Sequence, residues 1–142
     1  MTVKRRGRDR GFVAIELAFG AGLLLIPVAM LVLTVPSWSE RQATARAIVR
    51  EVTRSAAVTG VCDPAAAETI ADTMAANLGV DPAEVRLDLQ CFPGQRLPRG
   101  GEITASVTVR MPAVHIPGVT DVATWRWTAR HAEPVDPYRS FE

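Results

Sequence analysis

Residues 10–36 read RGFVAIELAFGAGLLLIPVAMLVLTVP, and the fold turns on how they are read. From Leu17 to Pro36 there are 20 consecutive residues without a charge. At a rise of ~1.5 Å per residue, such a helix crosses the ~30 Å hydrocarbon core of a bilayer. The competing reading is a buried helix of a soluble protein. A helix that is apolar on every side needs a large protein around it. A chain of 142 residues supplies one modest domain plus an appendage. The membrane reading is therefore preferred. Pro27 removes one intrahelical hydrogen bond, which membrane helices tolerate better than soluble ones. Pro36 is expected to mark a kink near the far interface, with Trp38 as an anchor at headgroup level.

The residues ahead of the span set its direction. Lys4, Arg5, Arg6, Arg8 and Arg10 face a single acid, Asp9. Beyond residue 11 the chain carries 11 basic and 14 acidic side chains, a net of −3. A basic leader thus precedes a mildly acidic body, and basic residues flanking a span stay on the cytoplasmic side. The N-terminus is expected inside and everything after about residue 37 outside. Nucleic-acid binding by KRRGRDR ranks below this, because the run abuts the span directly. An ordinary secretory signal shares the layout, but the apolar run exceeds the usual h-region and SWSERQA offers no A-x-A cleavage site.

Glu16 is the anomaly inside this apolar run. A charge at bilayer depth costs roughly 2.5–3.5 kcal/mol on insertion scales, so something must offset it. One reading is a carboxylate that reaches the headgroups. The sharper one starts from a cut after Gly11. Phe12 would then carry a new, positively charged α-amine, and Glu16 would lie one helical turn away. The two could pair within a chain or between neighbouring chains, favouring helices that slide into register.

Basic residues, then Gly11, apolar Phe12 at +1 and Glu16 at +5, at the head of an apolar helix, resemble the processing signal of type IV pilins and pseudopilins. The short chain, the Ala- and Arg-rich helix RQATARAIVREVTRSAA after the span and the small two-cysteine domain most resemble TadE-like pseudopilins of the tight-adherence (Flp) pilus. Leu17 stands where many such proteins have an aromatic residue. The resemblance implies cleavage after Gly11 by a prepilin peptidase on the cytoplasmic side, with the helix held in the membrane until it joins an assembly. It implies other pilin or pseudopilin subunits and the pilus machinery as partners, besides the lipid bilayer. Type II secretion pseudopilins share the G-F-x-x-x-E head and remain the alternative. From another class, an uncleaved single-pass anchor displaying a binding domain is a third reading.

Beyond the membrane, residues 38–57 read WSERQATARAIVREVTRSAA. Ala45, Ile48, Val49, Val52 and Ala56 fall on one helical face, and Arg46, Arg50 and Arg54 on another. The arginine row reads as a solvated face. Gly60 ends this helix. Asp63 and Pro64 start a short one as N-cap and first residue, Ile70, Met74 and Leu78 form its apolar stripe, and Gly79 closes it.

The period then changes to two. EVRLDLQC (84–91), EITASVTVRM (102–111) and VATWRWTARH (122–131) alternate apolar and polar residues as half-buried strands do. Val85, Leu87, Leu89 and Cys91 face inward in the first. Ile103, Ala105, Val107, Val109 and Met111 do so in the second, and Ala123, Trp125, Trp127 and Ala129 in the third. FPGQRLPRGG and PAVHIPG connect them, the latter with an extended edge around Val114. The expected fold is α+β. An N-terminal transmembrane helix continues as a long amphipathic helix, followed by a short helix and a three-stranded antiparallel sheet with helices on its apolar face, as in pilins. The boundaries are 1–11 leader, 12–36 transmembrane helix, 37–60 amphipathic helix, 61–133 outer domain and 134–142 flexible tail.

Cys62 and Cys91 lie in the part placed outside, where disulfides persist. A bond would close a loop of about 30 residues and stabilise the domain by roughly 3–4 kcal/mol in the chain-entropy model. The alternative is two unlinked buried thiols. Two distant cysteines do not make a metal site. His115 and His131 sit beside no nucleophile and read as surface or strand-end residues. No G-x-S-x-G, Walker-type loop, H-E-x-x-H or Cys/His cluster occurs. The expectation is a structural protein with no enzymatic activity, cofactor, nucleic acid or small-molecule substrate.

Overall fold

The computed structural model describes residues 10–111 and 125–138. The leader up to residue 9, the connection carrying Val114 and His115, the expected strand residue Ala123 and the last four residues lie outside the described set. The elements are α1 (Arg10–Thr59), α2 (Pro64–Asn77), a 3₁₀ turn (Pro82–Glu84), β1 (Val85–Leu89), β2 (Glu102–Arg110) and β3 (Arg126–Pro134). The layout is α+β, with one antiparallel sheet in the order β1-β2-β3. The chain divides into two compact units between Pro36 and Ser37.

The first unit contains the apolar part of α1, with Pro27 and Pro36 both inside the helix. Its large side chains point outward on every side, among them Leu17, Phe19, Leu23, Leu24, Ile26 and Leu33. The most apolar window has a mean hydropathy of 2.4 and no buried residue. By length and composition the helix can cross a membrane. Thr34 satisfies its hydroxyl by donating to the Met30 carbonyl at 2.9 Å, the usual way an apolar helix carries a threonine.

The second unit begins at Ser37 and owes its core to a one-sided helix. Ala45, Ile48, Val49 and Val52 are almost completely buried, while Arg46, Arg50 and Arg54 are exposed. Thr53 is buried among them, and its hydroxyl donates to the Val49 carbonyl at 2.9 Å, leaving no orphan polar group. The helix ends where Gly60, at φ 71°, donates its N–H to the Ala56 carbonyl. Only a residue tolerant of the left-handed region closes a helix this way.

Asp63 caps α2, its carboxylate accepting from the N–H groups of Ala65 and Ala66 at 3.1 Å each. At the other end Val80 donates to the Ala75 carbonyl and Gly79 to that of Ala76, the paired bonds of a Schellman stop. The expected stripe is displaced. Ala67, Ala71 and Ala75 form the deeply buried row, Ile70 and Met74 flank it, and Leu78 is 50% exposed. α2 packs against β1. Where backbones approach closely, a methyl group fills the space that a longer side chain would overfill.

β2 is the central strand, and Ile103, Ala105, Val107 and Val109 are at most 1% exposed, as is Met111 just beyond it. Its partners keep register with it. Val85 and Trp127 both lie opposite Val109, and Leu87 and Ala129 both lie opposite Val107. A one-residue slip would turn every one of these side chains to the other face. β1 is half-buried at Val85, Leu87 and Leu89, and Cys91 falls beyond its end. β3 starts at Arg126, so Trp125 precedes the strand.

The chain is ordered further than the expected boundary at 133. β3 runs through Pro134, and Val135 is fully buried in a second cluster with Ala56, Ala57, Leu97 and Ile103. Val135 donates to the Gly101 carbonyl at 2.8 Å and accepts from Gly100 at 3.1 Å. The prolines that suggested a flexible tail are compatible with this. Pro134 is the last residue of an edge strand, where a missing N–H is tolerated.

Candidate functional site

Gly11, Phe12 and Glu16 share the first turns of α1. Residues 12 and 16 are four apart, one turn of helix and ~6 Å of rise, and so lie one above the other on the same face. Glu16 is exposed. It is the only charged side chain from Val13 to Ser39. Among the described residues it makes no hydrogen bond or ion pair. A lone carboxylate on such a helix has two physical options, a cation or the polar boundary of a bilayer.

The second unit holds the remaining sequence-level candidates. Cys62 and Cys91 are joined by a disulfide with a sequence separation of 29. The bond sits in a knot of main-chain hydrogen bonds. Cys62 donates to the Gln95 carbonyl at 2.8 Å, Gly94 to that of Cys62 at 2.7 Å and Leu97 to that of Gly60 at 2.8 Å. The connection after β1 therefore folds back onto the segment between α1 and α2, and Leu97 fills the second cluster. The turn-rich composition of FPGQRLPRGG gave no hint of this pairing.

Four aromatic and charged contacts add to these candidates. Trp38 is half-buried against the core and meets Trp125 edge-on, with ring centroids 5.7 Å apart and planes at 87°. It is thus a packing residue of the second unit as well as a residue next to the apolar segment. Arg46 departs from the expected solvated row, since its guanidinium lies 5.1 Å from the centre of the Trp127 ring. Arg41 forms an ion pair with Glu84, 43 residues away in sequence. No local pattern marks a pair that distant. His131 lies inside β3, its Nε2 hydrogen-bonded to the carboxylate of Glu133 at 3.0 Å. The strand extends three residues past it, so it does not end the strand.

Among the described residues no group of three or more His, Cys, Asp or Glu side chains converges as a metal site would require. No protein-family model matches the chain, and no curated protein or solved structure is significantly similar to it.

Proposed function

We propose that the chain is a pilin-like, membrane-anchored structural subunit of the TadE-like type that takes part in assembling an adhesive pilus. In this reading a prepilin peptidase removes the leader after Gly11. The Phe12 amine is left at the head of a single-pass helix, with its N-terminus cytoplasmic and the disulfide-bonded domain outside. The observation that carries the reading is the isolated carboxylate. Glu16 is exposed and unpartnered among the described residues, one turn after Phe12, and is the only charged residue of the helix from Phe12 to Ser39. An amine released at Phe12 supplies the cation that Glu16 lacks. Pairing between neighbouring chains would bring adjacent helices into register. The role is structural, with other pilin or pseudopilin subunits as partners and no substrate of its own.

The test is the N-terminal sequence and intact mass of membrane-extracted protein. A chain that starts at Phe12 supports the reading. An uncut chain from cells with an active prepilin peptidase overturns it in favour of a simple anchor. Gly11→Ala should block the cut and leave insertion intact. Glu16→Ala should be cut and inserted but fail to enter an assembly. Normal assembly of that variant would refute the charge-pair argument. A type II secretion pseudopilin would behave identically in these assays and is separated by the subunits that co-purify.

A further inference from the structure

The face of the sheet turned away from the core carries three arginines at one end. Arg86 lies beside Thr108 in the β1–β2 register, and Arg110 lies directly opposite Arg126 in β2–β3. All three are exposed. Like charges placed directly opposite on neighbouring strands destabilise a sheet, and among the described residues no carboxylate pairs with either Arg110 or Arg126. Among the described residues Arg41 pairs with Glu84 and His131 with Glu133, so none of the three arginines has a carboxylate partner. Glu84 and Asp88 are each two residues from Arg86; Glu84 precedes the strand and is already engaged by Arg41. Asp88 lies a row away, opposite Ser106, and that row ends in Arg130. Glu102 is at the far end of β2. Arg86, Arg110, Arg126 and Thr108 line an open recess of about 620 Å³, together with Glu84, whose carboxylate is paired with Arg41. The Thr108 and Thr128 hydroxyls are bonded to each other at 2.8 Å, so the floor of this face is polar and fixed.

The same end of the sheet is tied to the start of the second unit. Trp125, next to Arg126, packs edge-on against Trp38, and Glu84, two residues before Arg86, pairs with Arg41. Trp38 follows Pro36 by two residues and Arg41 by five. Whatever path the chain takes, two residues reach at most ~7 Å and five at most ~18 Å. The polar headgroup layer is roughly 5–8 Å thick on each side of the hydrocarbon core. Residues packed on Trp38 are thus held by covalent connection near the end of the apolar segment.

We infer that Arg86, Arg110 and Arg126 form a binding surface for the phosphates of anionic phospholipids, seating the folded domain on the membrane that holds its anchor. This rests on the membrane reading of residues 13–36. The chemistry is that of basic groups beside an anionic surface, which a guanidinium engages with two parallel donors. A neutral bilayer balances each phosphate with its own ammonium and leaves the Arg110–Arg126 repulsion in place, whereas the uncompensated phosphate of an anionic lipid between the two relieves it.

The three tryptophans of the chain, Trp38, Trp125 and Trp127, are all at this end of the domain and report on it. The full chain is reconstituted in vesicles of phosphatidylcholine alone or mixed with phosphatidylglycerol, each doped with headgroup spin-labelled lipid. Co-flotation with the vesicles reads insertion, and tryptophan quenching reads seating of the domain. Quenching should be severalfold stronger with phosphatidylglycerol and should fall towards the neutral value at high salt, where screening shortens to ~3 Å. The R110Q/R126Q double variant should float normally, keep its disulfide by mass and lose the phosphatidylglycerol effect. R54Q, in the same helix as Trp38 but far from this face, should retain it. Equal quenching in both vesicles, or a double variant that behaves like the parent, overturns the inference while leaving the membrane reading intact. The first of these outcomes would assign the arginines to an acidic protein surface. A chain that fails to float with either vesicle overturns the membrane reading, and this inference falls with it.

Discussion

Val13–Pro36 and Ser37–Thr59 are parts of one helix that meet opposite surroundings. In the first, Leu23, Leu24, Leu25 and Ile26 are 60–71% exposed, whereas in the second Ala45, Ile48, Val49 and Val52 are at most 1% exposed. The difference lies in what the rest of the chain offers each part. From Ser37 onward a sheet and a second helix cover one face, so one apolar stripe is enough and the other face carries arginines. Up to Pro36 the large apolar side chains are exposed on every side. Exposed apolar surface so extensive and continuous is not stable in water and marks a surface meant for lipid or for other chains.

The sharpest way to break this contrast is a matched pair of truncations. Ile48→Ala should lower the stability of the folded unit by about 2–5 kcal/mol, the range for a buried aliphatic residue cut to alanine. Leu24→Ala should leave it unchanged. Thermal unfolding of the detergent-solubilised chain, followed by near-ultraviolet circular dichroism, reads both. A comparable drop for Leu24→Ala would mean that the apolar segment packs on the domain. Next in size is the crosslink. Replacing Cys62 and Cys91 by serine should cost about 3–4 kcal/mol if the loop-closure account holds. Extraction of the chain from membranes should not change. A much smaller loss would show that the hydrogen bonds linking Gly60 and Cys62 to Gln95 and Leu97 already restrict the loop.

Much of this was readable from the residues because local chemistry and tertiary packing agree. Asp63–Pro64 and Gly79 bracket α2, and strict alternation marks β2, whose inward residues are all buried. Three of the misses share a cause, since each depends on a partner in another element. The row Ala67, Ala71, Ala75 is buried because β1 is close, and the helix itself favours the larger Ile70 and Met74. Val135 is held by Gly100 and Gly101, while its neighbouring prolines suggest disorder. Arg46 reads as one of three equivalent arginines until β3 brings Trp127 under it. For Glu16 the structure adds exposure, and among the described residues it adds no partner.

The smallest effect is also opposite in sign to the others. Arg110 and Arg126 oppose each other on a face that buries nothing, so removing either charge should stabilise the folded unit in a neutral detergent. The gain should be about 0.2–1 kcal/mol, the scale of a cross-strand pair. The two substitutions should not add. Arg110→Gln relieves the repulsion, and Arg126→Gln in that background has little left to relieve, which a double-mutant cycle resolves as coupling. High salt should erase the gain by screening. Additive gains would mean that the arginines act independently. A loss on either substitution would mean that an anion or an acidic group already bridges them in detergent. The apolar segment has no counterpart to this test. There, among the described residues, a single charge, Glu16, lacks a partner, whereas here two charges share a site with none between them. On the two proposals above, an amine would answer the carboxylate and an anionic phosphate the guanidinium pair, so each charge anomaly is tested by supplying or withholding its counter-charge.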